Sequence, residues 1–344
     1  MRATLLVLLC SSVASALKPG AAALSVLLCG SVASALKPGA AFLDAARLRT
    51  NSAAREAFAA EVALPKPDSL RLLVAIAAEE HPEIPVIACT ERVRCALDDL
   101  TARATTRARL ESLVGGTEAD AAAVARAVAA AMYGDNDQSP GDDENAFFSG
   151  NAADYYDPRN SFLDEVLARK TGIPITMSLV FAEACAGAGA KMHLLNSPGH
   201  VLVCPDAPDE TFLVDAFNGG AILDNARGQV AGTAPLVGLS LAARVLRNLR
   251  LIYERSESYD PVRLLGAAER MLLVADEDVD VVAVPLEERA FCRVTVGVCI
   301  LALRDESRRD ESFCLISDAA RNYGQQGKVL DTLLADEWFK GGAR

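Results

Sequence analysis

The sequence lacks the features expected of a chain that spans a membrane or binds nucleic acid. After the N-terminal segment, no uninterrupted apolar run reaches the roughly twenty residues that a membrane-spanning helix requires. The formal net charge is −12, and the acidic residues are dispersed along the chain. Binding to a phosphate backbone requires clustered Lys and Arg side chains. We therefore expect no membrane contact of the mature chain and no nucleic-acid partner.

The sequence also lacks cysteine pairs with the spacing of a zinc site or a redox centre. It has nine cysteines, and none of them forms a C-x-x-C motif. Two of them, Cys10 and Cys29, lie in the N-terminal segment, which leaves an odd number that cannot pair completely. Cysteines scattered through apolar surroundings are typical of reduced thiols in a protein core. We therefore predict no metal site and no cofactor.

A tandem duplication occupies the N-terminus. Residues 7–22 read VLLCSSVASALKPGAA and residues 26–41 read VLLCGSVASALKPGAA, which gives a period of nineteen residues. A packed repeat fold needs several copies, so this repeat indicates a duplicated targeting segment. Arg2, the apolar run Leu5–Leu9 and the small residues Ala14–Ala16 form the three zones of a secretory signal peptide. We predict that residues 1–43 direct the chain into the secretory pathway, with a complex plastid as an onward destination; a cytoplasmic location is the alternative.

Helical periodicity dominates the sequence before residue 145 and after residue 224. In the N-terminal region, residues 44–144, it predicts helices over 45–62, 69–80, 89–114 and 119–132, followed by an acidic polar loop over 133–145. In the C-terminal region, residues 225–344, it predicts helices over 239–253, 261–275, 286–303 and 312–334. Helices of this length with short connections are expected to pack as antiparallel pairs.

The most distinctive pattern lies between residues 160 and 220. Asn160 or Ser161 can cap the first turn of a helix, and Gly172 is suited to ending it. Pro174 then fits the first turn of a second helix, where no backbone N–H is needed. This second helix continues to Gly187 and has almost no polar face, so we expect it to be buried on most sides.

Two short runs of strand-forming residues follow that helix. His200 begins a Val-Leu-Val run, and residues 211–214 form a second run that leads directly into Asp215. His81 ends a helical pattern and His193 precedes an apolar pair, so we interpret both as structural. The pattern predicts a buried helix followed by two paired strands that carry His200 and Asp215.

Four motifs in this stretch, N-S-F-L, G-I-P-I-T, P-G-H and V-D-A-F-N-G-G, resemble those of the SirB family. That family is a branch of the transglutaminase-like superfamily, whose core is papain-like. The resemblance implies an α+β fold with a transglutaminase-like core over residues 145–224 that contains a small antiparallel sheet. It also implies a helical segment before the core and a tetratricopeptide-like helical region after it.

The resemblance also implies roles for two residues. In catalytic members of the superfamily, a Cys at the start of the buried helix is deprotonated by a His on the next strand, which an Asp orients. His200 matches the base and Asp215 matches the orienting residue. A thiol needs both a base and a helix N-terminus to favour its thiolate.

The nucleophile of that arrangement is missing. Its position falls near Pro174, and the nearest hydroxyls belong to Thr176 and Ser178. Cys185 lies two turns further along the same helix, too far inside it to match the family's nucleophile. The chain therefore resembles a catalytic core without its catalytic Cys.

Three interpretations of His200 and Asp215 remain open. They can be a buried hydrogen-bonded pair inherited from an ancestral site. They can also line a cleft that binds a protein or peptide without turnover. They can also be base and orienter of a hydrolase or acyl transferase in which Ser178 or Thr176 is the nucleophile. We predict a non-catalytic protein that binds a protein or peptide, with that enzyme as the alternative. A structural subunit with an exposed apolar patch on its C-terminal helices is a third possibility.

Overall fold

The computed structural model describes most of the chain between residues 52 and 322. The described residues are 52–81, 84–115, 120–134, 147–197, 199–206, 211–224, 226, 228, 233–255, 259–276 and 284–322. The predicted targeting segment, the acidic loop from residue 135 onward, Pro198 of the P-G-H motif and the end of the last predicted helix lie outside them. The predictions for those segments stay predictions.

The chain divides into two compact units. The first unit spans Glu56–Val245. The second unit, within the described ranges, consists of residues 52–55 and 246–322. The first unit therefore contains the predicted core and, apart from residues 52–55, the described N-terminal helices.

The described residues of the N-terminal region form four helices, close to their predicted positions. They are α1 (Ser52–Val62), α2 (Ser69–Glu80), α3 (Val86–Gly115) and α4 (Ala121–Tyr133). The carboxylate of Asp68 accepts a hydrogen bond from the backbone N–H of Arg71 at 2.8 Å, and Asp120 accepts one from Ala123 at 2.6 Å. These carboxylates satisfy N–H groups that have no partner inside the helix, which fixes the starts of α2 and α4.

The segment around Asn160 differs from its prediction. Asn160 and Ser161 do not cap a helix, because both lie in a 3₁₀ turn, Pro158–Ser161, and helix α5 (Leu163–Arg169) begins after Phe162. The side chain of Asn160 is used elsewhere, since its Nδ2 donates to the carbonyl of Asp154 at 2.8 Å.

The end of α5 also falls earlier than predicted. The helix stops at Lys170, which takes a left-handed conformation with φ of 52°. Gly172 is not the end of the helix. It lies in strand β2 (Thr171–Gly172), which pairs in parallel with β1 (Ser149–Gly150).

Helix α6 (Pro174–Gly187) confirms the prediction of a buried apolar helix that begins at Pro174. Eleven of its first twelve residues are buried, including the polar side chains of Thr176 and Ser178. The helix packs against α3 and α4 and also against the sheet, so it has no broad face toward solvent. Burial on this scale makes α6 the centre of the first unit.

A four-stranded antiparallel sheet follows α6. Its strands, in spatial order, are β3 (Met192–Ser197), β4 (His200–Pro205), β5 (Leu213–Asp215) and β6 (Ala221–Leu223). The two predicted strands, β4 and β5, are confirmed, and so is a fold of mixed helix and small antiparallel sheet. The sequence did not predict β3, whose apolar pattern is interrupted by His193 and Asn196, or β6, which has only three residues.

The described residues of the C-terminal region are mainly helical, and the tetratricopeptide-like arrangement of these helices stays a prediction. The region contains α7 (Gly238–Tyr253), α8 (Pro261–Asp276), α9 (Leu286–Leu303) and, after a 3₁₀ turn, α10 (Arg309–Asn322). Helix α9 packs against both α8 and α10. The chain passes between the two units inside α1, after Arg55, and inside α7, after Val245. No helix among the described residues combines the length and the apolar character needed to cross a membrane.

The turn after β5 allows a test of the packing in the first unit. Gly219 and Gly220 both have positive φ, at 66° and 72°. A Cβ at Gly220 would lie 2.8 Å from the ring of Tyr133 and 2.9 Å from Ala129, whereas a Cβ at Gly219 would meet nothing within 4 Å.

The substitution Gly219→Ala therefore adds only backbone strain. We expect Gly220→Ala to lower the free energy of unfolding by about 1–3 kcal/mol more than Gly219→Ala, because it adds a clash in a packed core. Urea denaturation of both variants measures the difference, and equal losses would contradict the close approach of this turn to α4.

Candidate functional site

The structure brings His200 and Asp215 together. Strands β4 and β5 are antiparallel, with Val203 opposite Val214, so the start of β4 lies beside the end of β5. The Nε2 atom of His200 lies 2.9 Å from Oδ1 of Asp215, a hydrogen-bond distance. The side chain of His200 is 29% exposed and that of Asp215 is 18% exposed. The pair is therefore accessible from the surface and is not sealed inside the core.

The carboxylate of Asp215 also organises the turn that follows it. Its Oδ1 accepts hydrogen bonds from the backbone N–H groups of Phe217 and Asn218, at 3.2 and 3.1 Å. The hydroxyl of Tyr133 donates to the carbonyl of Ala216 in the same turn. Burial, and next the charge of Asp215, raises the pKa of Tyr133, so this hydroxyl stays protonated and remains a donor. Asp215 thus has a structural role in addition to its contact with His200.

Phe217 forms one side of the histidine's surroundings. Its ring meets the His200 ring edge-to-face, with the centroids 6.2 Å apart and an interplanar angle of 78°. Phe217 also contacts Gly150, where a Cβ would lie 2.7 Å from both the ring and the carbonyl oxygen of Phe217. Only a glycine at position 150 allows this approach. The sequence offered no local signal for it, because the two residues are far apart in the chain.

Arg244 on α7 also contacts His200, and no sequence pattern indicated this contact. Its Nη2 donates to the carbonyl of His200 at 3.2 Å, and its Nη1 binds Oδ1 of Asn196 on β3. Burial raises the pKa of Tyr155, and the positive charge of Arg244 opposes that rise. Tyr155 is 36% exposed, and its ring packs edge-to-face on Tyr156. We call the surface formed by His200, Asp215, Arg244, Tyr155 and Tyr156 the dyad patch.

The two candidate hydroxyls bond to main-chain carbonyls. The Oγ of Ser178 donates to the carbonyl of Val201 at 3.2 Å, and both residues are fully buried. The Oγ1 of Thr176 lies 2.8 Å from the carbonyl of Asn160 and 3.1 Å from that of Ile173. Thr176 is also fully buried. Each hydroxyl therefore satisfies a buried main-chain acceptor.

The candidate thiol is equally enclosed. Cys185 is fully buried on α6. Burial raises the pKa of its thiol, which opposes the formation of the nucleophilic thiolate. The structure therefore joins His200 to Asp215, whereas Ser178, Thr176 and Cys185 are held in the packing of α6.

A polar network supports the start of α6. Asn160 is fully buried, and its Oδ1 accepts hydrogen bonds from Asn151 at 3.2 Å and from Arg169 at 3.3 Å. Burial disfavours the ionised form of Asp157, but hydrogen bonds from Arg159 and the charge of Arg169 outweigh it and hold the pKa of Asp157 below its usual value. The carbonyl of Asn160 is the group that Thr176 binds, so this network fixes the first turn of α6. Among the described residues, no cluster of three or more His, Cys, Asp and Glu side chains could hold a metal ion.

One known protein family matches the part of the chain that contains His200 and Asp215. The transglutaminase-like superfamily matches residues 91–246, from α3 through the sheet to the first half of α7. The chain contains a transglutaminase-like domain. His200, Asp215 and Arg244 all lie within the matched residues.

Proteins of a bacterium and of mammals are similar to parts of this chain. A UPF0162 protein of Xylella fastidiosa strain Temecula1 is 31% identical over 178 residues, which cover 47% of this chain and 61% of that protein. A UPF0162 protein of strain 9a5c is 32% identical over 144 residues, covering 36% of this chain and 50% of that protein. F-box only protein 21 of Mus musculus is 37% identical over 81 residues, covering 21% of this chain and 13% of that protein. The chain thus spans between one half and two thirds of its UPF0162 relatives, and no solved structure matches it.

Replacement of Asp215 tests its structural role. Asp215→Ala removes the acceptor of three hydrogen bonds, from His200 and from the backbone of Phe217 and Asn218. We expect the free energy of unfolding to fall by about 2 kcal/mol, because each such bond contributes roughly 0.5–1.5 kcal/mol. Urea denaturation at pH 7 measures the loss. The exposed Asp224 provides the control, and an equal loss in Asp224→Ala would contradict the role of Asp215.

Thiol labelling tests the enclosure of Cys185. We expect iodoacetamide at pH 8 to modify Cys185 at least about a hundredfold more slowly than the exposed Cys314, because the buried, protonated thiol reacts only after an opening of the structure. Peptide mapping by mass spectrometry distinguishes the two sites. In urea the two rates should become similar. Rapid labelling of Cys185 in the native chain would mean that this thiol is reachable and would reopen its candidacy as nucleophile.

Proposed function

We propose that the transglutaminase-like domain is a non-catalytic module of the SirB type that binds a protein or peptide at the dyad patch. One contrast carries this proposal. The side chain of His200 is 29% exposed, whereas Ser178 and Thr176 are 0% exposed. A ligand can reach the histidine without reaching either hydroxyl.

The chemistry of nucleophilic catalysis supports the same conclusion. A serine or threonine becomes a nucleophile when a base accepts its proton and a substrate carbonyl can approach its oxygen. In this chain the hydroxyl of Ser178 donates to the carbonyl of Val201, and the hydroxyl of Thr176 has the carbonyls of Asn160 and Ile173 within hydrogen-bond distance. Attack by either oxygen would leave a buried carbonyl without its donor, which is costly.

The composition of the dyad patch supports binding. Tyr155 is 36% and Tyr156 is 53% exposed, and their rings support each other edge-to-face with centroids 5.5 Å apart. The guanidinium of Arg244 is held by its bonds to Asn196 and to the carbonyl of His200. Tyr and Arg side chains that are held in place are the residue types that contribute most to protein interfaces. The patch thus offers preorganised aromatic and polar groups to a peptide.

The alternative function is that of a hydrolase or acyl transferase with Ser178 or Thr176 as nucleophile, His200 as base and Asp215 as orienter. One observation favours it. Ser178 bonds to the carbonyl of Val201, the residue directly after His200, so its hydroxyl meets β4 close to the histidine. A shift of α6 along β4 would be needed to redirect that hydroxyl.

Two measurements on the full chain separate binding from catalysis. Peptides selected from a displayed random library should bind His200→Ala about tenfold more weakly than the native chain, because truncation of a central interface residue costs more than about 1 kcal/mol. The other histidine of the sheet, His193, provides the control, and His193→Ala should bind normally. Selection that yields no peptide sensitive to His200→Ala would contradict the assigned surface.

The second measurement addresses turnover directly. A fluorophosphonate probe reacts with activated serine hydroxyls, so we expect no labelling of the native chain beyond the level seen with Ser178→Ala. We also expect Ser178→Ala and Thr176→Val to bind the selected peptides with unchanged affinity. Labelling that disappears in Ser178→Ala would establish the enzyme and overturn the proposal.

A further inference from the structure

Helices α9 and α10 form a closely packed pair in the second unit. The Oγ of Ser312 donates to the carbonyl of Gly297 at 2.7 Å. A Cβ at Gly297 would lie 2.9 Å from the side chain of Ile316, so a glycine is needed for the two helices to approach this closely. This contact joins the second half of α9 to the middle of α10 and fixes the two helices against each other.

A groove of about 470 Å³ lies between the remaining parts of these two helices. We call it the α9–α10 groove. The first half of α9 contributes Leu286, Ala290 and Val294 to its apolar lining, and the second half of α10 contributes Leu315 and Ala319. Val294 is buried, whereas Leu286 is 79% exposed. The groove therefore presents an apolar surface that includes a large aliphatic side chain in contact with solvent.

The chain leaves α10 beside this groove. Ala319 lies in the last turn of α10, which ends at Asn322. Residues 323–327 read YGQQG, and their two glycines are typical of a turn that separates two helices. Five extended residues reach up to about 17 Å. The residues that follow this linker can therefore return across the mouth of the groove.

The sequence after the linker has the pattern of an amphipathic helix. Residues 328–339 read KVLDTLLADEWF, and they lie outside the described residues. Leu330, Leu333, Leu334 and Trp338 have the spacing i, i+3, i+4 and i+8, which places them on one face of a helix. This face contains three leucines and a tryptophan, and it needs an apolar surface to cover it.

One acidic residue falls on the same face. Glu337 follows Leu333 by four residues, so the two side chains are neighbours on a helix. Arg293 lines the groove from the exposed side of α9. A carboxylate and a guanidinium that meet beside an apolar contact form a charge-assisted hydrogen bond. The groove thus offers Glu337 a partner of opposite charge.

We propose that residues 328–339 form a helix that docks in the α9–α10 groove, with its leucines against Leu286 and Leu315. An amphipathic helix that lays its apolar face in a groove is a recurrent mode of recognition. A segment joined to α10 by five residues has an effective concentration on the order of millimolar at the groove, which favours it over a free partner of equal affinity. This contact lies in the second unit and is independent of the function proposed for the dyad patch.

Tryptophan fluorescence of the full chain tests the docking, because Trp338 is the one tryptophan in the sequence. We expect native emission at shorter wavelength than that of the urea-unfolded chain, with weaker quenching by acrylamide. Leu286→Gln should shift the emission toward the unfolded value. It should also speed hydrogen exchange of the amides of 328–339 about tenfold, since loss of one buried leucine weakens a contact by roughly that factor. The side chain of Leu286 is mostly exposed, so far-UV circular dichroism should stay unchanged.

Two further variants show whether the effect belongs to this contact. Ile87 on α3 is 80% exposed and lies in the first unit, so Ile87→Gln should change neither emission nor exchange. Leu333→Gln should reproduce the loss from the other side of the contact. The double variant of Leu286→Gln and Leu333→Gln should lose little more than either single variant. Native emission equal to that of the unfolded chain, no response to Leu286→Gln, an equal response to Ile87→Gln, or additive losses would each overturn the proposal.

Protein concentration distinguishes this segment from a second copy of the chain as the occupant. Docking within one chain gives the same emission and the same exchange rates at low and high protein concentration. Analytical ultracentrifugation should likewise show no association that Leu286→Gln abolishes. A dimer that Leu286→Gln dissociates, together with emission that shifts as the protein is diluted, would assign the groove to a second copy and overturn the proposal.

Discussion

The burial of α6 on nearly all sides is the constraint on which the first unit depends. A helix without an exposed face must satisfy every polar side chain inside the protein, because an unpaired buried polar group is costly. Thr176 therefore bonds to the carbonyls of Asn160 and Ile173, and Ser178 bonds to that of Val201. These bonds join α6 to the segment before α5 and to β4. The hydroxyls that a serine or threonine enzyme would use are here the links that hold the helix in the fold.

The burial of α6 also changes the pKa of its thiol, Cys185. A thiolate carries a negative charge that water stabilises. Burial removes this hydration and disfavours the thiolate, so it raises the pKa of Cys185. In a catalytic cysteine, the opposite shift comes from an exposed position at a helix N-terminus beside a base. In this chain the N-terminal position of α6 is Pro174, which has neither a thiol nor a backbone N–H to offer. The first turn of α6 thus begins with a residue suited to its structural position, and the hydrogen-bonded pair of His200 and Asp215 lies on the sheet that packs against this helix.

The sequence predicted the features that depend on local chemistry. Proline at the first turn fixed the start of α6, and the β-branched runs fixed β4 and β5, which carry His200 and Asp215. It missed the features that arise from contacts between distant residues. Asn160 has a side chain suited to a helix cap, but in the structure this side chain bonds to Asp154 and Asn151 instead. The contacts of Gly150 with Phe217 and of Arg244 with β3 and β4 join segments far apart in the chain, so no local pattern could indicate them.

The His200–Asp215 pair does not by itself indicate catalysis in this domain. Asp215 accepts hydrogen bonds from two backbone N–H groups of the turn that follows it, and that turn is held further by Tyr133. The carboxylate would therefore be needed at this position even without a substrate. His200 gains an oriented ring from its bond to Asp215 and from its contact with Phe217, and an oriented, accessible ring serves binding as well as proton transfer. What separates the two uses is a third group able to give up a proton to the histidine. In the described part of this domain, the candidate hydroxyls give their protons to main-chain carbonyls, which favours the use of the pair in binding.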